Sequence, residues 1–344
     1  MEYHETYMAA VRMKDIARDL GVSVVTVSKA LRNHEDISDE TRARVLQRIS
    51  ELNYRPNLAA RALVTGRSYI IGFVVPGLLH SFFAEVAQGL TAVLRKKGFS
   101  LVIASSDEDP ELEAEEIEQL LARRVDALIV ASTQQGSEVF RTIEEQKVPY
   151  VLIDRKIDGI DANFVGVDDE ICGEIGTEHL IQCGHKRIAF IGGKSVSTAE
   201  GRRNGYSKAL AKHGIAERPE YLRTLSETGD AAEDEAGMTM LDLIALDEPP
   251  TAVYCGNDPI AMGAMKAALD IGKRIPEDIA FCGTGNVRYG SYLRVPLTSV
   301  DQGSAAIGER AARLALSLIE SKVPMKPKTI TIEPKLVVRQ STKA

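Results

Sequence analysis

The sequence predicts an α/β protein: an N-terminal three-helix head of the helix-turn-helix kind, a hinge, and a larger two-lobed body with parallel sheets. Three observations lead there. Apolar residues recur at helical spacing on both sides of a break at Gly21 to Ser23; after Ser68, continuous apolar runs alternate with amphipathic stretches; and 344 residues exceed one typical domain and allow two or three. The implied divisions are a flexible extension over 1–12, the head over 13–56, the hinge over 57–66 and the body over 67–344.

In the head, Met13, Ile16, Ala17 and Leu20 form the stripe of a first helix, and Gly21 supplies the tight backbone that stops it. Ser23 stands where an N-cap is needed for a second helix, Val24 to Leu31. Val27, Ala30 and Leu31 then face a core, and Val24, Val25, Ser28 and Lys29 point outward on its N-terminal half, where a recognition helix meets base edges; exposed valines suit thymine methyl groups. Ser38 caps a third helix with Thr41 three residues on, and Val45, Leu46, Ile49 and Leu52 are its apolar stripe. Charge agrees. Residues 8–67 hold eleven Lys and Arg against seven Asp and Glu, a net of +4, on a chain whose total is −7. A basic module on an acidic body is the footprint of a phosphate-neutralising surface, although charge alone also fits ordinary solvated helix faces.

In the body, the runs YIIGFVVP, FSLVIAS, VDALIVAS, PYVLID, FVGV, RIAFIGG, TAVYC and DIAFC read as buried parallel strands. Helical spacing lies between them at Phe83 to Lys97, Glu111 to Arg123, Cys172 to Cys183, Arg202 to His213, Glu233 to Leu246 and Pro259 to Gly272. The strands are too many for one sheet, and the likeness of IIGFVVP to RIAFIGG suggests two similar lobes. Ligands in such sheets bind at the C-terminal ends of strands, where this chain places Asp154, Arg155, Asp168, Asn257, Asp258 and Gln302. Each has a plainer role available: Asp154 as a turn cap, Asp258 as a helix N-cap before Pro259, and Phe83 as core packing rather than a stacking surface.

Together these residues resemble the lactose-repressor and galactose-repressor (LacI/GalR) family of bacterial transcription regulators. The resemblance rests on D-I-A-x-x-x-G-V-S-x-x-T-V-S at Asp15 to Ser28, Y-x-P-N-x-x-A-R-x-L at Tyr54 to Leu63, G-H-K-R-I-A-F-I-G-G at Gly184 to Gly193, and the pair Asn257 and Asp258. It covers nearly everything after residue 12. It implies a sequence-specific repressor, homodimeric on a palindromic double-stranded operator with a central CG step, and controlled by a small-molecule effector, a sugar or sugar derivative. Ser23, Thr26, Ser28 and Thr41 match phosphate anchors, and Val24, Val25 and Lys29 match the base-reading surface. Tyr54, Asn57, Ala60, Arg61 and Leu63 match a hinge helix of the minor groove, with Leu63 as the wedge between base steps or, more plainly, a packing residue.

The family's body is similar to the periplasmic sugar-binding proteins, with three crossovers between lobes of about 67–166 plus 304–330 and 167–303 plus 331–344. By that likeness Phe83, Asp154, Arg202, Asn257, Gly285 and Gln302 face the effector; Arg202, in R-x-x-G-Y, presents a planar fork suited to hydroxyls or a carboxylate, or else makes a surface ion pair. One departure stands out. Gly285 occupies the place where the family usually has an Asp that binds vicinal hydroxyls. The expected consequence is a modified or acidic sugar, or a ligand read through backbone N–H groups of the turn Thr284 to Asn286.

No enzyme, cofactor or metal site is signalled. Gly283 to Gly290 does not form G-x-G-x-x-G, no glycine loop carries a Walker lysine, and the six histidines form no H-x-x-x-H. Cys172, Cys183, Cys255 and Cys282 are scattered and read as reduced core residues. With no leader and no run long enough to span a bilayer, a cytoplasmic protein without a membrane partner is expected. The rival class is a small-molecule receptor or sugar-processing enzyme on the same body, which the basic head disfavours.

Overall fold

The computed structural model describes residues 11–31, 34–54, 66–193, 196–227 and 229–343, with backbone alone at 229 and 230. The chain divides into two compact units, Met1–Ser68 and Tyr69–Ala344. Among the described residues no helix is long and apolar enough to cross a membrane.

The first unit contains α1 (Met13–Leu20), α2 (Val24–Leu31) and α3 (Asp39–Glu51). Gly21 ends α1 in the left-handed region at φ 66°, and Ser23 Oγ accepts the Thr26 N–H at 3.0 Å to start α2. Ser38 Oγ does the same for Thr41 at the head of α3. Ile16, Ala17, Val27, Ala30 and Val45 form the core, with Leu20, Leu31, Ile49, Leu52 and Tyr54 packed around it. Leu46 departs from expectation: it is exposed, because a step of one residue from Val45 turns it about 100° off the stripe that Val45, Ile49 and Leu52 share.

The second unit holds two six-stranded sheets. The first is built from β1 (Ile70–Val75), β2 (Ser100–Ser105), β3 (Ala127–Val130), β4 (Tyr150–Ile153), β5 (Phe164–Val167) and β11 (Thr329–Ile332), in the order β11-β5-β4-β3-β1-β2. The second is built from β6 (Ile188–Gly192), β7 (Leu222–Thr224), β8 (Ala252–Cys255), β9 (Ala280–Thr284), β10 (Thr298–Asp301) and β12 (Lys335–Val337), in the order β12-β10-β9-β8-β6-β7. All pairs are parallel except β10 with β12, which is antiparallel. Alternate strand residues feed cores on opposite faces. Ala189, Ile191, Val253 and Cys255 enter one, while Ile188, Phe190, Ala252 and Tyr254 enter the other.

The helices covering these faces are α4 (Ser81–Leu94), α5 (Pro110–Ala122), α6 (Glu138–Glu145), α7 (Asp169–Gln182), α8 (Ser197–Lys212), α9 (Gly229–Ile244), α10 (Asp258–Asp270) and α11 (Ser304–Glu320). The sequence reading misses α6 and α11 and the strands β7, β11 and β12. The three strands are short edge strands without continuous apolar runs, and the buried face of α11 dilutes Ile307, Leu314 and Leu316 with small residues, Ser304, Gly308 and the alanines at 311, 312 and 315, a weak signal. It also places Cys183 in the core, whereas the side chain is exposed; the other three cysteines are buried.

The chain crosses between the sheets three times: after β5, after β10, and between β11 and β12. Helix α8 begins at Ser197, five residues before its expected start, so Arg202 lies more than one turn inside it. Its crossing with α7 is close enough that a Cβ on Gly205 would stand 2.0 Å from the Glu170 carbonyl oxygen, and one on Gly173 2.1 Å from that of Arg202. Backbone cannot yield as a flexible side chain can. Gly205→Ala is therefore expected to lower stability by about 1–3 kcal/mol. The measurement is urea unfolding, with a reduced midpoint at unchanged slope; an unaltered midpoint would show that the crossing is looser than described.

Candidate effector cleft and DNA-reading surface

A cavity of about 490 Å³ opens where the C-terminal strand ends of the two sheets face each other. Residues following β1, β2, β3 and β4 contribute from one sheet, and those following β6, β8 and β10 from the other, as strand-end binding in parallel sheets requires. Across the two sides Lys156 N donates to Ser197 Oγ at 2.9 Å.

Arg202 is the most heavily tied side chain in the wall. It is 6% exposed; Nε donates to Asp169 Oδ1 at 2.9 Å, Nη2 lies 2.8 Å from the same oxygen, and Nη1 donates to the Gly256 carbonyl at 2.6 Å. Burial works against the guanidinium's charge, but Asp169 and Asp154 outweigh it and hold Arg202 above its ordinary value. The same burial pushes the Asp169 carboxyl up, with Arg202 pulling it partly back. Arg155 is similarly occupied, held at both Nη atoms by Glu108 at 2.8 and 2.6 Å. Asp154 adopts φ 61° after β4 and lines the cavity; among the described residues its oxygens accept no hydrogen bond, and its nearest cation is Arg155 Nε at 4.0 Å.

The cap role weighed for Asp258 falls to Asn257. Asn257 is the N-cap of α10, its Oδ1 accepting the Ile260 N–H at 2.9 Å, yet it still lines the cavity. Asp258 does not cap the helix: it is buried and accepts from Ser299 Oγ at 2.6 Å and Val287 N at 2.8 Å, fastening β10 and the loop after β9 to α10. Burial pushes its carboxyl up to about 6, against those two hydrogen bonds. Gln302, 3% exposed, lines the cavity with an Nε2 that has no hydrogen-bond partner among the described residues. Phe83 serves both alternatives, belonging to the lobe core and touching the cavity, with its ring against His80 and Phe82. Asp168 stays out of the cleft; it is exposed and caps α7 by accepting from Glu170 N and Ile171 N.

Gly285 does not line the cavity, although Thr284 does. The expected backbone cradle is absent for a definite reason. The Gly285 N–H donates to Val300 O at 2.8 Å and the Asn286 N–H to Ser299 Oγ at 2.9 Å, so both donors are spent on β10. An acidic sugar suits the lining no better, since Asp107, Glu108, Asp154, Glu227 and Glu233 outnumber Arg155 and Arg202. Arg155 lines the cavity at the end of β4, among the strand-end residues that the sequence marks, whereas His80 and Glu108 line it with no sequence signal.

On the head, Val24 and Val25 are 45% and 61% exposed, Ser23 is exposed, and Thr26, Ser28, Lys29 and Thr41 are half-buried. Ser23 and Thr26 also share a hydroxyl hydrogen bond at 2.9 Å. Lys29 is not free: its ammonium is paired with Asp36, whose carboxylate also meets His34 Nδ1 at 2.7 Å. Tyr54 packs on the head core, and its N–H donates to Ile49 O at 2.9 Å. Asn57, Ala60, Arg61 and Leu63 lie outside the described residues.

Residues 12–57 match the model of bacterial regulatory proteins of the lacI family, and residues 177–342 that of the periplasmic binding protein-like domain. Over 333 residues the chain is 32% identical to the HTH-type transcriptional repressor PurR of Mannheimia succiniciproducens, covering 96% of this chain and 98% of that protein. The chain belongs to the lacI family of bacterial regulatory proteins. It is thus a DNA-binding transcriptional regulator. Among solved structures, this lacI-family chain resembles the lac repressor dimer bound to operator and the anti-inducer ONPF at 26% identity and a TM-score of 0.83, over 97% of this chain and all of that one. A transcriptional regulator CelR in complex with cellobiose matches at 27% identity and a TM-score of 0.72, over 96% and 99%.

For a lacI-family head the Lys29 pair with Asp36 has a direct consequence. A phosphate or base approaching that ammonium would compete with Asp36, which also adds a negative charge to the head. Asp36→Asn should tighten binding to any duplex by a factor of about two to five at moderate salt. Fluorescence anisotropy against operator and unrelated DNA is the check; equal affinities for variant and parent would remove the competition.

Proposed function

We propose that this regulator is a repressor of carbohydrate-related genes that binds a palindromic operator as a homodimer, and that a sugar or sugar derivative held between its lobes sets its grip on DNA. The observation that carries this reading is one chain combining an exposed Val24 and Val25 surface on a helix-turn-helix with a cavity at facing strand ends that carries Asp154, Arg202, Asn257 and Gln302. Similar proteins are described as a repressor, as a dimer on operator, and as a cellobiose complex, which supports each part of it.

On this reading the phosphate contacts come from Ser23, Thr26, Ser28 and Thr41, and base discrimination from Val24, Val25 and Lys29. The hinge, with Tyr54, Asn57, Ala60, Arg61 and Leu63, enters the minor groove at a central CG step, where Leu63 unstacks the bases and bends the duplex toward both heads. The effector is met by Asp154, Arg202, Asn257 and Gln302, with Phe83 at the edge. Closing the lobes on a ligand changes the spacing of the two hinges in a dimer, so effector and operator affinities are coupled, and by linkage each alters the other equally.

Gel shifts at rising salt, with a palindrome carrying a central CG step, test the reading. Specific binding that falls steeply with salt is expected, with Leu63→Ala weakening it, Lys29→Ala relaxing base preference, and Thr26→Ala weakening all sequences alike. A dimer that ignores every duplex at low salt would overturn the proposal.

A further inference from the structure

The effector cleft carries an excess of negative charge that its cations do not offset. Among the described residues four carboxylates line it besides Glu233, which is already engaged: Asp107, Glu108, Asp154 and Glu227, against two guanidiniums, Arg155 and Arg202. Both guanidiniums are already engaged by carboxylates, Arg155 by Glu108 and Arg202 by Asp169 from behind the wall. His80, also in the lining, is held below its ordinary value by burial, which removes it as a cation near neutral pH. Lys194 lies outside the described residues; even one further cation would leave the described lining negative.

Within this field Asp154 is half-buried, faces the cavity and accepts no hydrogen bond among the described residues. A carboxylate in that position is costly until something donates to it. An ammonium supplies three donors and the opposite charge, where a hydroxyl supplies one donor and none. Gln302 is an independent sign of a ligand site: nearly all of it is buried in the same wall, and its Nε2 donor is unspent. That amide suits a hydroxyl or ring oxygen.

Resting on the effector reading above, we propose that the ligand is a cationic polyol, an amino sugar or amino alditol, with its ammonium on Asp154 and its hydroxyls toward Gln302, Asn257 and Arg202.

The test uses the full-length protein and sets of compounds on one carbon skeleton: glucose, glucosamine, glucamine and glucuronate, with the corresponding galactose series. Thermal shift and calorimetric titration are read at two ionic strengths. An amine is expected to raise Tm and bind at least about tenfold tighter than its neutral parent, with the gap narrowing at high salt. Asp154→Asn should shrink that gap, a loss that mere misfolding would not confine to amines. Tightest binding by a uronate, amines no tighter than neutral parents, or silence from every amine would each overturn the inference. Should neutral sugars bind alone, the regulator reading survives; should no compound of any charge bind while operator is still bound, the carbohydrate-effector reading falls with it.

Discussion

The cleft depends on one buried cation. Arg202 sits where water cannot solvate it, and its charge is tolerable only because Asp169, from the start of α7, and the carbonyl of Gly256, from the end of β8, surround it. A buried ion pair of this kind adds little net stability, because desolvation offsets the attraction, but removing one partner strands the other. Its worth here is positional. It ties three elements of one lobe at the wall of the cavity. The close α7 and α8 crossing, possible only with glycine at 173 and 205, brings the two charges within reach.

A second buried carboxylate does comparable work one strand away. Asp258 holds Ser299 and the Val287 amide, and with the donors of Gly285 and Asn286 spent on β10, the loop after β9 is stitched to its neighbours. That leaves the lobe's recognition to side chains rather than backbone. Opposite, Glu108 occupies Arg155, while Asp154 has only the 4.0 Å ion pair with Arg155 and accepts no hydrogen bond among the described residues. The cleft thus spends its cations internally and offers acceptors.

Much of the fold was legible in the sequence because local rules and tertiary packing agree. Gly21, Ser23 and Ser38 act as stop and caps by chemistry internal to a few residues, and the apolar runs from 70 to 284 are strands, buried on both faces except β2, an edge strand expected to be buried whose Ile103 is exposed. The exceptions are those whose burial is decided by distant neighbours. Leu46 has the right residue type one position off the stripe; Cys183 lies at the exposed end of α7; β12 pairs antiparallel with β10 only because the chain returns from β11 beside it. For the cleft, Asp154, Arg202, Asn257 and Gln302 could be placed from strand ends and from the family's pattern. The roles of Asp258 and Asp168 could not.

What the sequence determined by itself is the kind of molecule: a helix-turn-helix reader on a two-lobed α/β body, because periodicity, caps and motifs are written in near neighbours along the chain. Tertiary structure alone decided the electrostatic character of the site. Glu108 with Arg155 and Arg202 with Asp169 are 47 and 33 residues apart in sequence, so which charges cancel and which remain to meet a ligand depends on distances that only folding creates.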